Sequence, residues 1–78
     1  PLNALRVYDA AARHLSFTRS ADELFVTKAA VSHQIKSLED FLWLKLFSRR
    51  NRSLLLREEG QSYFQYIKEI FSKLTEAT

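Results

Sequence analysis

Lys28, Ala29, Ser32 and His33 fall together in KAAVSH, and their types suit one kind of chemistry. A helix lying in the major groove of a duplex needs short side chains where it sits deepest and hydrogen-bonding ones beside them. A lysine donates to the O6 and N7 acceptors of guanine, and an alanine methyl meets the methyl of thymine. A hydroxyl or an imidazole meets a base edge or a phosphate. Further along, Arg49, Arg50 and Arg52 surround Asn51, and clustered guanidiniums suit phosphate oxygens and a narrow, negative minor groove. This inventory points to recognition rather than catalysis. The sequence holds no nucleophile beside a base, no paired carboxylates and no glycine-rich phosphate loop, Gly60 being its only glycine. Without cysteine there is no disulfide or thiolate metal site, and His14 and His33 lie too far apart to share one helix face as a metal pair.

The elements that must carry these residues are legible in the apolar spacing. Between Ser16 and Leu38 two short amphipathic patterns meet across a turn of about three residues, which is how a helix-turn-helix reads. Phe17, Ala21 and Leu24 mark one face, and Val31, Ile35, Leu38 and Leu42 the other. With Val31 at the centre of the buried side, a rotation of about 100° per residue puts Ala29, His33 and Lys36 outward and Ser32 on the flank. Ala21 and Ala30 are small enough for a close crossing. The spacing predicts a first helix over residues 1–15 on Leu2, Leu5, Tyr8, Ala12 and Leu15, capped by Asn3. It predicts a second over Thr18 to Phe25 opened by Ser16 or Thr18, and a third over Lys28 to Leu42 capped by Thr27. Leu44, Leu46 and Phe47 on one side of RRNRS, with Leu54 and Leu56 on the other, predict a short β-hairpin with Leu55 outward.

Charge singles out the hairpin. The chain carries a net charge of +3, and residues 1–27 and 28–40 are each balanced. From Phe41 to Arg57 there are five cations (Lys45, Arg49, Arg50, Arg52 and Arg57) and no acid. A cation run is usually a solvated face; directly after a helix-turn-helix pattern it argues for nucleic acid. At 78 residues the chain is one small domain whose core is marginal. Pro1 opens a sequence without methionine, so the expectation is a piece of a longer chain. Nothing reads as a signal peptide or a membrane span, which by default gives a cytoplasmic location.

The last predicted helix runs from Glu58 to Thr78. Tyr63, Ile67, Ile70, Leu74 and Ala77 are spaced four, three, four and three, the seam of a coiled coil, with Phe64 and Phe71 beside it. One stripe would bind the domain and the other a second chain; the plainer alternative packs both on one core. The expected fold class is therefore mainly α, a winged helix-turn-helix. It has a three-helix core, a short β-hairpin wing and a long carboxyl-terminal helix, divided as a DNA-binding unit over 1–57 and a linker or dimerisation helix over 58–78.

The run LNALRVYDAAARHLSFTRSADELFVTKAAVSHQIKSLED, followed by LKLFSRRNRSLLL and EEGQ, resembles the amino-terminal DNA-binding domain of LysR-type bacterial transcriptional regulators over the whole chain. The LNALR opening, ARHLSFTR and AAVSHQ are most similar to the subgroup of glycine cleavage activators and β-lactamase regulators. The resemblance implies a homodimer through the last helix and a tetramer in the intact protein. It implies double-stranded DNA as partner, with Lys28, Ala29, Ser32 and His33 at the base-reading positions and Arg52 in the minor groove. Thr18, Thr27, Lys36, Arg49 and Arg50 are the expected phosphate contacts, Arg49 having bracing of the hairpin against helix three as its alternative. No cofactor is expected in this domain; a small-molecule effector would bind a carboxyl-terminal domain that the sequence lacks. Three residues depart from the family pattern. Lys28 stands for a glutamine, Trp43 for a glycine after helix three, and Arg57 for a threonine before the last helix, with Glu58 and Glu59 placed to offset its charge.

Two rival functions follow from the same residues. A helical protein-interaction module would use the last helix and show no salt-sensitive DNA affinity. An RNA-binding domain would want aromatic residues exposed on its strands, whereas Phe47 reads as buried.

Overall fold

The computed structural model describes residues 2–51 and 53–77; the side chains of Leu2, Glu76 and Ala77 and all of Arg52 lie outside the described residues. The element order is α1 (Leu2–His14), α2 (Phe17–Leu24), α3 (Lys28–Leu42), β1 (Phe47–Arg50), β2 (Ser53–Leu56) and α4 (Glu58–Ala77). This is the expected winged helix-turn-helix, with one helix cap corrected and one chosen between two candidates. Asn3 lies inside the first turn of α1 rather than capping it. Ser16 caps α2 by accepting the Arg19 amide at 3.1 Å, which leaves Thr18 as the second helical residue. Thr27 caps α3 as expected, its hydroxyl accepting the Ala30 amide at 3.0 Å.

α1, α2 and α3 pack around Val7, Ala11, Ala21, Val31, Ile35 and Leu38, all buried. Ala21 is buried in this core, but Ala30 is exposed, and Leu15 has left the helix with φ 50° and is exposed too. Tyr8 is the hub where the elements meet. Its ring makes edge contacts with Phe47 of β1 at 5.6 Å and with Tyr63 and Phe64 of α4 at 5.2 and 6.2 Å. Its hydroxyl donates to the Gly60 carbonyl, and burial pushes its ionisation far above the usual tyrosine range. Gly60 answers a packing demand: a Cβ there would collide with the Leu46 carbonyl oxygen. That oxygen also accepts the Arg57 amide at 2.8 Å, seating the first turn of α4 on the hairpin.

The hairpin is antiparallel, pairing Phe47 with Leu56, Ser48 with Leu55, Arg49 with Leu54 and Arg50 with Ser53. Asn51 follows the strand with φ 52°, a conformation asparagine tolerates and a tight hairpin turn requires. α3 ends on Trp43, which takes the left-handed conformation with φ 62° while its side chain is 91% exposed. The turn is thus built with the left-handed residue that glycine would supply most cheaply.

Candidate nucleic-acid interface

Strand alternation sorts the wing into two faces. Phe47, Arg49, Leu54 and Leu56 point toward the helices, and Ser48, Arg50, Ser53 and Leu55 point away. Phe47 meets the ring of Phe17 edge-on at 5.9 Å, and the Arg49 guanidinium lies over that same ring, 5.5 Å from its centroid. Arg49 therefore braces the hairpin against α2, with an exposed guanidinium still available to a ligand. Arg50, one residue on, is free of this stack and exposed.

The wing and the helix-turn-helix enclose two adjoining concavities. One is lined by Thr18, Lys28, Arg49 and Ser53, where the starts of α2 and α3 approach the hairpin. The other is lined by Ser32, Lys36, Lys45, Ser48 and Arg49 along the middle of α3. Arg49 borders both. Lys28, Ala29, Ser32, His33 and Lys36 are all exposed on α3, while Val31, Ile35 and Leu38 of the same helix are 0–5% exposed. So the expected base-reading residues share the outward face, and three of the expected backbone residues, Thr18, Lys36 and Arg49, stand around it, while Arg50 is exposed on the other face of the wing. Thr27 is committed as a cap, although its hydroxyl proton remains free to donate. Arg52 lies outside the described residues.

Away from this face, Arg13 forks onto Glu23 at 2.5 and 3.1 Å and also reaches Asp9 at 3.0 Å, while the His14 imidazole lies 2.7 Å from Glu23. The Arg13 hydrogen bonds, with His14 second, hold the Glu23 carboxyl down at about 2. This cluster ties α1 to α2 and uses His14 structurally.

The seam expected on α4 needs correction. Ile67 is 2% exposed and belongs to the domain's own core, and Tyr63 and Ile70 pack partly against that core with Phe64 and Phe71. The two stripes converge on one surface because α4 lies across α1 and the hairpin. Leu74, 53% exposed, and Tyr66, 62% exposed, are the large apolar residues α4 leaves outward among those described.

Two features escaped the sequence reading. The Glu39 side chain is buried and its Oε2 accepts the amides of Leu46 at 2.8 Å and Phe47 at 3.2 Å. Its signal was present: 31, 35 and 39 step by four, so an acid stands on the buried stripe. The Phe17–Arg49 stack had no such signal, since nothing in the spacing brings α2 to the hairpin.

Comparison with known proteins agrees with this architecture. The residue pattern of the bacterial regulatory helix-turn-helix proteins of the lysR family matches residues 2–61. The glycine cleavage system transcriptional activator of Escherichia coli K12 is 87% identical over all 78 residues, which are 26% of that protein. The transcriptional activator AmpR of Pseudomonas aeruginosa is 55% identical over 74 residues, 95% of this chain and 25% of AmpR. The chain thus spans about a quarter of the length of these curated relatives. The BenM DNA-binding domain, solved with catB site 1 DNA, superposes with a TM-score of 0.93 at 31% identity, covering 99% of this chain and 86% of that one. On the matched pattern, the identity and the shared winged fold, the chain belongs to the lysR family of bacterial regulatory helix-turn-helix proteins.

Proposed function

We propose that this domain binds double-stranded DNA as the reading head of a transcriptional regulator. In this reading α3 lies in the major groove through Lys28, Ala29, Ser32 and His33, and the wing lies along the adjacent minor groove through Arg52. Thr18, Thr27, Lys36, Arg49 and Arg50 hold the backbone. The observation that carries the reading is the pair of concavities shared by α3 and the wing, bordered by Lys28, Lys36, Lys45 and Arg49. A groove walled by cations on two elements fits a duplex whose phosphates run along both sides of the helix that enters it. The 87% identity to the glycine cleavage activator supports the same regulon, and the BenM complex supports DNA as the partner. In the intact protein we place a homodimer through α4, a tetramer, an effector-binding domain beyond this chain and a cytoplasmic location; no described helix is long and apolar enough to cross a membrane.

The test is a mobility shift with duplex DNA, single-stranded DNA and structured RNA side by side, followed by a salt titration. With about four to six phosphates neutralised per domain, log affinity for the duplex falls with a slope of roughly four to five against log salt. A slope near zero, or preference for either single strands or RNA, would falsify duplex binding.

A further inference from the structure

Among the described residues, Ser20 and Glu39 are the buried polar or charged ones. Ser20 spends its hydroxyl inside α2, donating to the Ser16 carbonyl at 2.6 Å. Glu39 reaches out of its helix. Its Oε2 accepts two successive amides, Leu46 and Phe47, at the point where the chain enters β1, and Lys45 Nζ stands 4.0 Å from Oε1. Leu46 is fully buried and Phe47 nearly so, which leaves little water to replace a missing acceptor there.

We propose that Glu39 is the positioning residue of the wing: one carboxylate on the recognition helix fixes where the hairpin starts, and so sets the distance between the two DNA-contacting elements. The inference rests on the DNA-binding reading above. Glu39 is one helical turn from Lys36, so the anchor and the reading face belong to one rigid frame. From Phe47 to Arg50 the strand advances about 10 Å. A tilt of about 20° at the anchor would carry Arg50 about 3.5 Å from its place, farther than a hydrogen bond to phosphate tolerates. Arg49 on the ring of Phe17 is a second hold farther along the strand, and it depends on the first for its register.

Glu39→Gln and Glu39→Met test this on the whole domain, because both remove the same charge and keep similar volume, while only the glutamine retains a carbonyl acceptor. Duplex affinity is titrated with salt. The glutamine variant keeps the parent slope. The methionine variant loses about 0.9 for each phosphate given up by Arg49 and Arg50, close to 2 in all. A merely structural role lowers the folded fraction, which shifts the curve and leaves its slope unchanged. A folded methionine variant with the parent slope, or a glutamine variant as deficient as methionine, overturns the proposal. If the methionine variant does not fold, Glu39→Asp, whose carboxylate is one methylene short, takes its place and must give a reduced slope. Nuclear Overhauser contacts between Arg49 and the Phe17 ring in DNA-free protein separate this idea from the DNA reading. Contacts kept in glutamine and lost in methionine support Glu39 as the anchor even if the parent domain binds no duplex, and contacts kept in methionine reject it.

Discussion

Lys28 occupies the first turn of α3 with its side chain exposed at the edge of the concavity it shares with Thr18 and Arg49. A glutamine there could donate and accept, and so pair with adenine; lysine only donates, which suits guanine O6 and N7. Lys28→Gln is therefore expected to move the preference away from guanine by about 1 to 3 kcal/mol at one position of each half-site. Arg50→Ala should weaken all sequences alike. Selection from a random DNA pool checks both, and identical base profiles for parent and glutamine variant would reassign Lys28 to phosphate. A left-handed conformation costs a residue with a Cβ about 1 to 2 kcal/mol, of which glycine returns part through its freer unfolded chain. Because the Trp43 side chain is 91% exposed, it forfeits little packing. Trp43→Gly should stabilise the domain by about 0.5 to 1 kcal/mol in urea denaturation, and an unchanged or lower midpoint would mean that the indole is held by contacts after all.

Among the elements, α4 is the one whose role depends on which residues face outward. Ile67→Glu would place a carboxylate in the core beside Tyr8 and Leu46, costing about 4 kcal/mol or more, most of what a domain this small possesses. It should unfold the monomer. Leu74→Glu alters a residue already half in water, so helicity and thermal midpoint of the monomer should hold. The dimer proposed through α4 should weaken about tenfold or more, as a carboxylate cannot be buried cheaply at an interface. Sedimentation of both variants decides it, and an unchanged mass for Leu74→Glu would remove Leu74 from the seam. The reason the sequence misassigned Ile67 is physical: the four-three spacing of Tyr63, Ile67, Ile70 and Leu74 states which residues share a stripe, not which surface covers it. The same spacing placed α3 and the wing correctly, because each has a single apolar face. Glu39 and Gly60 were harder to read, since their roles come from the approach of Leu46, an atom contact between elements that no periodicity records.

For the molecule as a whole, the geometry of one domain constrains the DNA site of two. The dimer proposed through α4 would hold two α3 helices at a fixed separation, and so would read two half-sites as an inverted repeat whose centres lie a whole number of duplex turns apart, about 10 to 10.5 base pairs each. Binding of the second domain is then intramolecular, and its benefit is lost where geometry forbids simultaneous engagement. Starting from the site selected by the parent protein, an insertion of 5 base pairs between the half-sites turns one of them to the opposite face of the duplex. Affinity should fall to that of an isolated half-site. An insertion of 10 base pairs restores the face but lengthens the span, and should recover affinity only as far as α4 can flex. Leu74→Glu, if it yields monomers, should be indifferent to both insertions, since each of its domains binds alone. Affinities of both proteins for the three sites decide it: a parent protein equally indifferent to spacing would show that the two reading heads are not coupled through α4, whatever their affinity for a single half-site.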